Sequence, residues 1–81
     1  MVVKYLINTE KAIRLMHENN IITAIVDENS NKKQIKEILE KQWNVKIEKV
    51  NILNTKNGKK AYIKINKDYK AIDIANKYGI I

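Results

Sequence analysis

Val45-Lys46-Ile47-Glu48-Lys49-Val50-Asn51-Ile52-Leu53-Asn54-Thr55, then Lys56-Asn57-Gly58-Lys59, then Lys60-Ala61-Tyr62-Ile63-Lys64-Ile65-Asn66 spells out a β-hairpin. Two runs rich in β-branched and aromatic residues flank Asn57-Gly58, a strong short-range hairpin signal, because a type I′ turn needs positive φ at both central residues. A two-residue loop at Asn57-Gly58 sets Lys56 against Lys59, Leu53 against Tyr62, Ile52 against Ile63, Asn51 against Lys64 and Val50 against Ile65. Side chains alternate across a strand. The aliphatic pairs therefore share one face, and Lys49, Asn51, Leu53, Lys60, Tyr62 and Lys64 share the other. A basic sheet face with an aromatic in it points to a polyanion partner. The first strand changes phase, with Val45 and Ile47 odd but Val50 and Ile52 even, which places a β-bulge near Glu48-Lys49.

Outward from the hairpin, the chain divides into short periodic segments. Val2–Ile7 reads as a strand. Thr9 caps a helix over about 10–18, with Glu10 at its positive dipole end, Ala12, Ile13, Leu15 and Met16 as its apolar residues and Asn19-Asn20 as its stop. Ile21–Val26 is a continuous apolar run and reads as a buried strand. After a turn at Asp27–Ser30, Asn31 caps a second helix and Gln34 completes a capping box, with Ile35, Ile38 and Leu39 as the core stripe and Trp43 as a core residue. Asp68 is expected to cap a short last helix with Ala71, Ile74, Ala75 and Tyr78 along one stripe, closed by Gly79 and Ile80 in a Schellman motif. The order β-α-β-α-β-β-α makes a single α+β domain over residues 1–81, a mostly antiparallel four-stranded sheet with helices packed on it.

Composition narrows the function. The chain has 81 residues and no cysteine, which removes disulfides, thiolate chemistry and cysteine-based zinc sites. No apolar run approaches the ~20 residues of a membrane span. Lys4 and Asn8 interrupt the first apolar stretch, so no signal peptide is expected and a cytosolic protein is. The net charge of +7 is uneven, with eight basic and seven acidic side chains in residues 1–48 against eight and two in residues 49–81. That asymmetry favours a nucleic-acid face. Lys32 and Lys33, in the first turn of the second helix, oppose its dipole, and Lys56 and Lys59 oppose each other across the turn; phosphates would relieve both strains. The competing reading is solvated lysines in a chain rich in Ile, Lys and Asn. For Leu53 and Tyr62 it is an outer apolar contact with a further helix or protein.

Catalysis finds little footing. His17 is the sole histidine and sits at a helix end, Ser30 is the sole serine and suits a turn, and two carboxylates at Asp27-Glu28 are ordinarily solvated. With only Gly58 and Gly79 there is no glycine-rich phosphate loop. A small enzyme of acylphosphatase-like outline would need such a loop beside a catalytic arginine, and the one arginine, Arg14, lies in a helix. No enzyme, cofactor, metal site or small-molecule substrate is expected.

Four segments add a resemblance: Thr9-Glu10-Lys11-Ala12; Asn31-Lys32-Lys33-Gln34-Ile35-Lys36; Val45–Leu53; and Lys59-Lys60-Ala61-Tyr62-Ile63-Lys64-Ile65, the most specific. In order and spacing the chain resembles large-subunit ribosomal protein 23, in the short form typical of archaea, over nearly its whole length. The resemblance implies a structural role in the large ribosomal subunit and a three-layer α/β arrangement around an antiparallel sheet. It implies binding to large-subunit rRNA, mainly its third domain, near the polypeptide exit tunnel. The implied partners are that rRNA, neighbouring large-subunit ribosomal proteins and factors such as the signal recognition particle, with no membrane. By motif, Thr9, Lys11, Lys32, Lys33, Lys36, Lys49, Asn51, Lys59, Lys60, Tyr62 and Lys64 are the implied rRNA contacts; placement adds Arg14, Asn54 and Lys56. Glu10 matches the family's acidic docking residue, and helix-dipole compensation is its other role. The hairpin lacks the long tip of bacterial relatives, so sensing of the nascent chain inside the tunnel is not expected. The basic N-terminal extension of eukaryotic relatives is also absent, so RNA binding is expected from the folded domain. The alternative function is a free-standing basic nucleic-acid-binding protein.

Overall fold

The structure is a computed structural model that describes residues 2–77. Its elements are β1 (Val3–Leu6), α1 (Glu10–Asn19), β2 (Ile21–Val26), α2 (Lys32–Trp43), β3 (Ile47–Thr55), β4 (Gly58–Ile65) and α3 (Ala71–Lys77). The strands form one antiparallel sheet in the order β1-β2-β4-β3, as the α+β reading requires. The proposed closure by Tyr78, Gly79 and Ile80 lies outside the described residues.

Local chemistry sets the helix ends. The Thr9 hydroxyl accepts from the Ala12 N–H at 3.2 Å. At α2 the box is complete: Asn31 Oδ1 accepts from Gln34 N at 2.8 Å and Gln34 Oε1 from Asn31 N at 3.1 Å. Both helices stop at an asparagine in the left-handed region, Asn20 (φ 59°) and Asn44 (φ 54°), the residue type other than glycine that most readily adopts it. Glu40 then fastens the α2–β3 connection, its carbonyl accepting from Val45 N at 3.2 Å and its carboxylate from Ile47 N at 2.9 Å.

The core lies between the helices and one face of the sheet, two layers where the resemblance implies three. Met16, Ile35, Leu39, Trp43, Ala71, Ile74 and Ala75 from the helices form one cluster with Ile22, Ala24 and Val26 of β2, Ile47 and Val50 of β3, and Ala61, Ile63 and Ile65 of β4. Burying an aliphatic side chain of this size contributes roughly 1.5–3 kcal/mol. Both edge strands keep this face through a bulge. In β3 the register shifts between Ile47 and Lys49, where the phase change placed it, and in β1 it shifts between Val3 and Tyr5. Each bulge spaces two buried residues three apart, Val3 with Leu6 and Ile47 with Val50.

Three further expectations are corrected. The hairpin loop is Lys56-Asn57, and Thr55 pairs with Gly58. Positive φ falls on Gly58 (118°) and not on Asn57, so no type I′ turn forms. The Thr55 hydroxyl locks the loop instead, accepting from Asn57 N at 3.3 Å and donating to Gly58 O at 2.7 Å. Leu53 therefore faces Lys60, Ile52 faces Ala61, Asn51 faces Tyr62, Val50 faces Ile63, and Lys64 faces Lys49. The slip is of two residues, so every side chain keeps its face. Second, Ile38 is 45% exposed and outside the core, because Ile35, Leu39 and Trp43 take the buried stripe of α2. Third, Asp68 does not cap α3. Its N–H closes a local turn on Asn66 Oδ1 at 2.9 Å, and the helix begins at Ala71.

The cap of α3 comes from 51 residues away. Asn20 Oδ1 accepts from Ala71 N at 2.7 Å. The same amide donates to the carbonyls of Tyr69 at 2.8 Å, Ile65 at 3.1 Å and Asn66 at 3.3 Å. The Asn20 carbonyl accepts from Ile65 N at 3.0 Å and its N–H caps α1 on Leu15 O. Glycine at position 20 would keep the left-handed backbone and delete only the side-chain bonds. Asn20→Gly is expected to lower the unfolding free energy by about 2–4 kcal/mol, from several lost bonds and carbonyls left without partners. Asn44→Gly, where the backbone makes the cap, should stay within about 0.5 kcal/mol of wild type. Urea denaturation of both variants checks this, and equal effects at the two positions would refute it.

Candidate nucleic-acid interface

Residues that alternate with the core set project from the other side of the sheet, and the register arranges them in three rows. Tyr5, Ile25, Lys60 and Leu53 form one; Thr23, Tyr62 and Asn51 the next; Ile21, Lys64 and Lys49 the third. None of these ten residues is acidic. Lys49, Asn51 and Leu53 are exposed, Lys60, Tyr62 and Lys64 half-buried. The Lys60 ammonium lies 5.5 Å from the centre of the Tyr62 ring, a cation–π approach that holds it on the face.

Lys49 and Lys64 stand directly opposite each other. This is the like-charge pair of the hairpin, not Lys56 with Lys59. Lys56 sits in the loop, and Lys59 faces Asn54. Lys59 also has a structural bond, its ammonium donating to the Ser30 carbonyl at 3.3 Å. That bond ties the hairpin tip to the start of α2, where Lys32, Lys33 and, one turn on, Lys36 are exposed with no acid in the first turn. Lys11 and Arg14 are exposed on α1, as is Glu10 in its first turn.

The expected contacts therefore fall into groups. The sheet face gathers Lys49, Asn51, Lys60, Tyr62 and Lys64. The tip and the α2 start gather Asn54, Lys56, Lys59, Lys32, Lys33 and Lys36. Lys11 and Arg14 stand apart on α1, while Thr9 reaches the first group through a groove of about 430 Å³ that it lines with Tyr5, Ile25, Thr55, Asn57 and Lys60. Tyr5, half exposed at 51% and outside the core cluster, is the residue that sequence reading passed over. Its signal was hidden because apolar neighbours of both parities mask the bulge that turns it outward.

Thr9, Glu10 and the hairpin face all fall within the segment that matches a known family. The family model described as Ribosomal protein L23 matches residues 1–76. The chain belongs to the ribosomal protein L23 family. It is 49% identical over 80 residues to the large ribosomal subunit protein uL23 of Pyrobaculum aerophilum, covering 98% of this chain and 99% of that one. It is 43% identical over 81 residues to the protein of the same name from Trypanosoma brucei brucei, of which it spans about half the length (49%). The L23 family is one of ribosomal structural proteins and not of enzymes.

The opposed Lys49–Lys64 pair destabilises the isolated protein, since like charges facing each other across a ladder repel. Lys49→Glu converts that pair into an attractive one. It is expected to raise the stability of the free protein by a few tenths to about 1 kcal/mol, read as a higher urea midpoint at unchanged slope. An unchanged or lower midpoint would show that Lys49 and Lys64 do not repel across the ladder.

Proposed function

We propose that the helix-free face of the sheet binds large-subunit rRNA and anchors the protein near the polypeptide exit tunnel. As a member of the L23 family, the protein is a structural constituent of the large ribosomal subunit. The observation that carries the rRNA reading is the opposed Lys49–Lys64 pair among ten ladder-paired residues of which none is acidic, the exposed Glu48 lying at the β3 bulge outside those pairs. Phosphates between the two ammonium groups would turn repulsion into attraction, and counterion release would make the affinity fall as salt rises. Asn51 supplies a hydrogen-bonding amide and Tyr62, steadied by Lys60, a ring for stacking. RNA shape then sets most of the specificity. Lys32, Lys33 and Lys36 form a second basic patch, which the Lys59–Ser30 bond holds beside the hairpin tip.

The third rRNA domain is the RNA that the family resemblance implies, with neighbouring large-subunit proteins and cytoplasmic ribosomes as the setting. The two-residue loop keeps the hairpin short, which suits an anchor at the tunnel mouth better than a probe within it. Glu10, exposed beside Thr9, is accessible for docking a tunnel-exit factor such as the signal recognition particle.

The test is assembly. Lys60→Glu with Lys64→Glu should leave the isolated fold intact by circular dichroism and prevent incorporation into large subunits. Glu10→Ala should assemble normally and lose affinity for signal recognition particle. Replacing both lysines by alanine should make the salt dependence of binding to a third-domain rRNA fragment shallower by about two in log–log slope. Normal incorporation of the double glutamate variant refutes the face. Equal wild-type affinity for scrambled RNA at physiological salt favours a free-standing nucleic-acid binder, and unchanged factor binding refutes the role of Glu10.

A further inference from the structure

We propose that the groove beside Tyr5 receives an unpaired nucleobase of the RNA, stacked on the Tyr5 ring. The inference rests on the rRNA reading above and assigns this corner of the face a different part of the RNA from the lysine rows.

The groove of about 430 Å³ runs between the β1–α1 connection and the hairpin tip, within the range of sites that enclose a small ligand. Its floor is apolar, the buried Ile25. One wall is the ring of Tyr5, half exposed and outside the core cluster. Lys60 stands next to it on the far side of Ile25 in the same row. The rim is polar. The hydroxyl of Thr9 is engaged with Ala12 N and that of Thr55 with the hairpin loop. The exposed side-chain amides of Asn8 and Asn57 are left to meet a base edge.

Apolar floor, aromatic wall, amide rim and a neighbouring ammonium are the parts by which proteins hold a splayed-out base and its phosphate. A stacked base pair, with its faces covered, gains nothing from the ring. The sign of the charge favours RNA over an acid-balanced protein surface, because no residue lining the groove is acidic. Asn8, Thr9 and Tyr5 come from one edge of the sheet and Asn57 and Lys60 from the hairpin, so the sheet order β1-β2-β4 is what brings them together.

The experiment measures binding of the full 81-residue chain to two RNAs, the third-domain rRNA fragment with its loops and a fully paired duplex of equal length. Tyr5→Ala is expected to bind the fragment about tenfold more weakly, with the duplex affinity and the salt slope unchanged, because stacking releases no counterions. Tyr5→Phe should behave as wild type. Tyr5→Leu, which keeps the apolar bulk without the ring, should match Tyr5→Ala, and it decides the matter if the alanine variant fails to fold. Full affinity of the leucine variant for the fragment, or an equal loss on both RNAs, overturns the proposal. So does normal RNA binding coupled to loss of a neighbouring protein from assembled subunits. Failure of the wild-type protein to prefer the fragment over scrambled RNA strikes the rRNA reading instead, whatever Tyr5 does.

Discussion

One asparagine side chain fixes how the two ends of this fold meet. Asn20 ends α1 with its backbone, pairs with β4 through its carbonyl, and spends its amide on three carbonyls of the β4–α3 connection and on the first N–H of α3. Besides local turns, the segment from Asn66 to Lys70 has one backbone bond to a distant strand end, from Asn66 N to Lys46 O at 2.9 Å. Without a partner, its carbonyls and the start of a seven-residue helix would need water in a half-buried corner. α3 supplies Ala71, Ile74 and Ala75 to the core, so the cap and the burial depend on each other. A short helix is marginal alone; here packing and a remote cap together hold it.

The proposed interface follows from the division of the sheet into two faces. The aliphatic residues of β2 and β4 that join the main cluster lie on the helix side, while the other side sets Lys49, Asn51, Lys60, Tyr62 and Lys64 around Ile21, Thr23, Ile25 and Leu53. A domain of this size has room for one core, and a second apolar layer over the open face would require more chain. On the proposed reading rRNA completes the uncovered face, and the lysines there suit its negative charge. Bulges in both edge strands belong to this design, since each re-aims half a strand so that its apolar residues stay inside and Tyr5 or Lys49 turns outward.

Much of this was legible because short-range chemistry and period agree. The capping box at Asn31–Gln34, the Thr9 cap, the apolar β2 run and the phase change in β3 each predict what forms. Face assignment of Lys49, Asn51, Lys60, Tyr62 and Lys64 held even though the hairpin register did not, because the error was an even number of residues. The register itself was decided by the Thr55 hydroxyl, whose bonds outweigh the Asn57-Gly58 preference for a primed turn. The cap of α3 was illegible for another reason: its donor and acceptor are 51 residues apart, and Asp68 offered a plausible local substitute. Tyr5 was missed because apolar residues on both sides of it leave no period to read. The clustering of Lys59 with the α2 start likewise needed the tertiary bond to Ser30.

The central claim is that the helix-free face lies against rRNA in the assembled subunit. Lysine-reactive footprinting tests it most directly, comparing modification of the free protein with that of intact large subunits. The account predicts that Lys49, Lys60 and Lys64 react in the free protein and are protected in the subunit. Protection should be lost when the rRNA is digested. Open-face lysines that stay as reactive in intact subunits as in the free protein would contradict it.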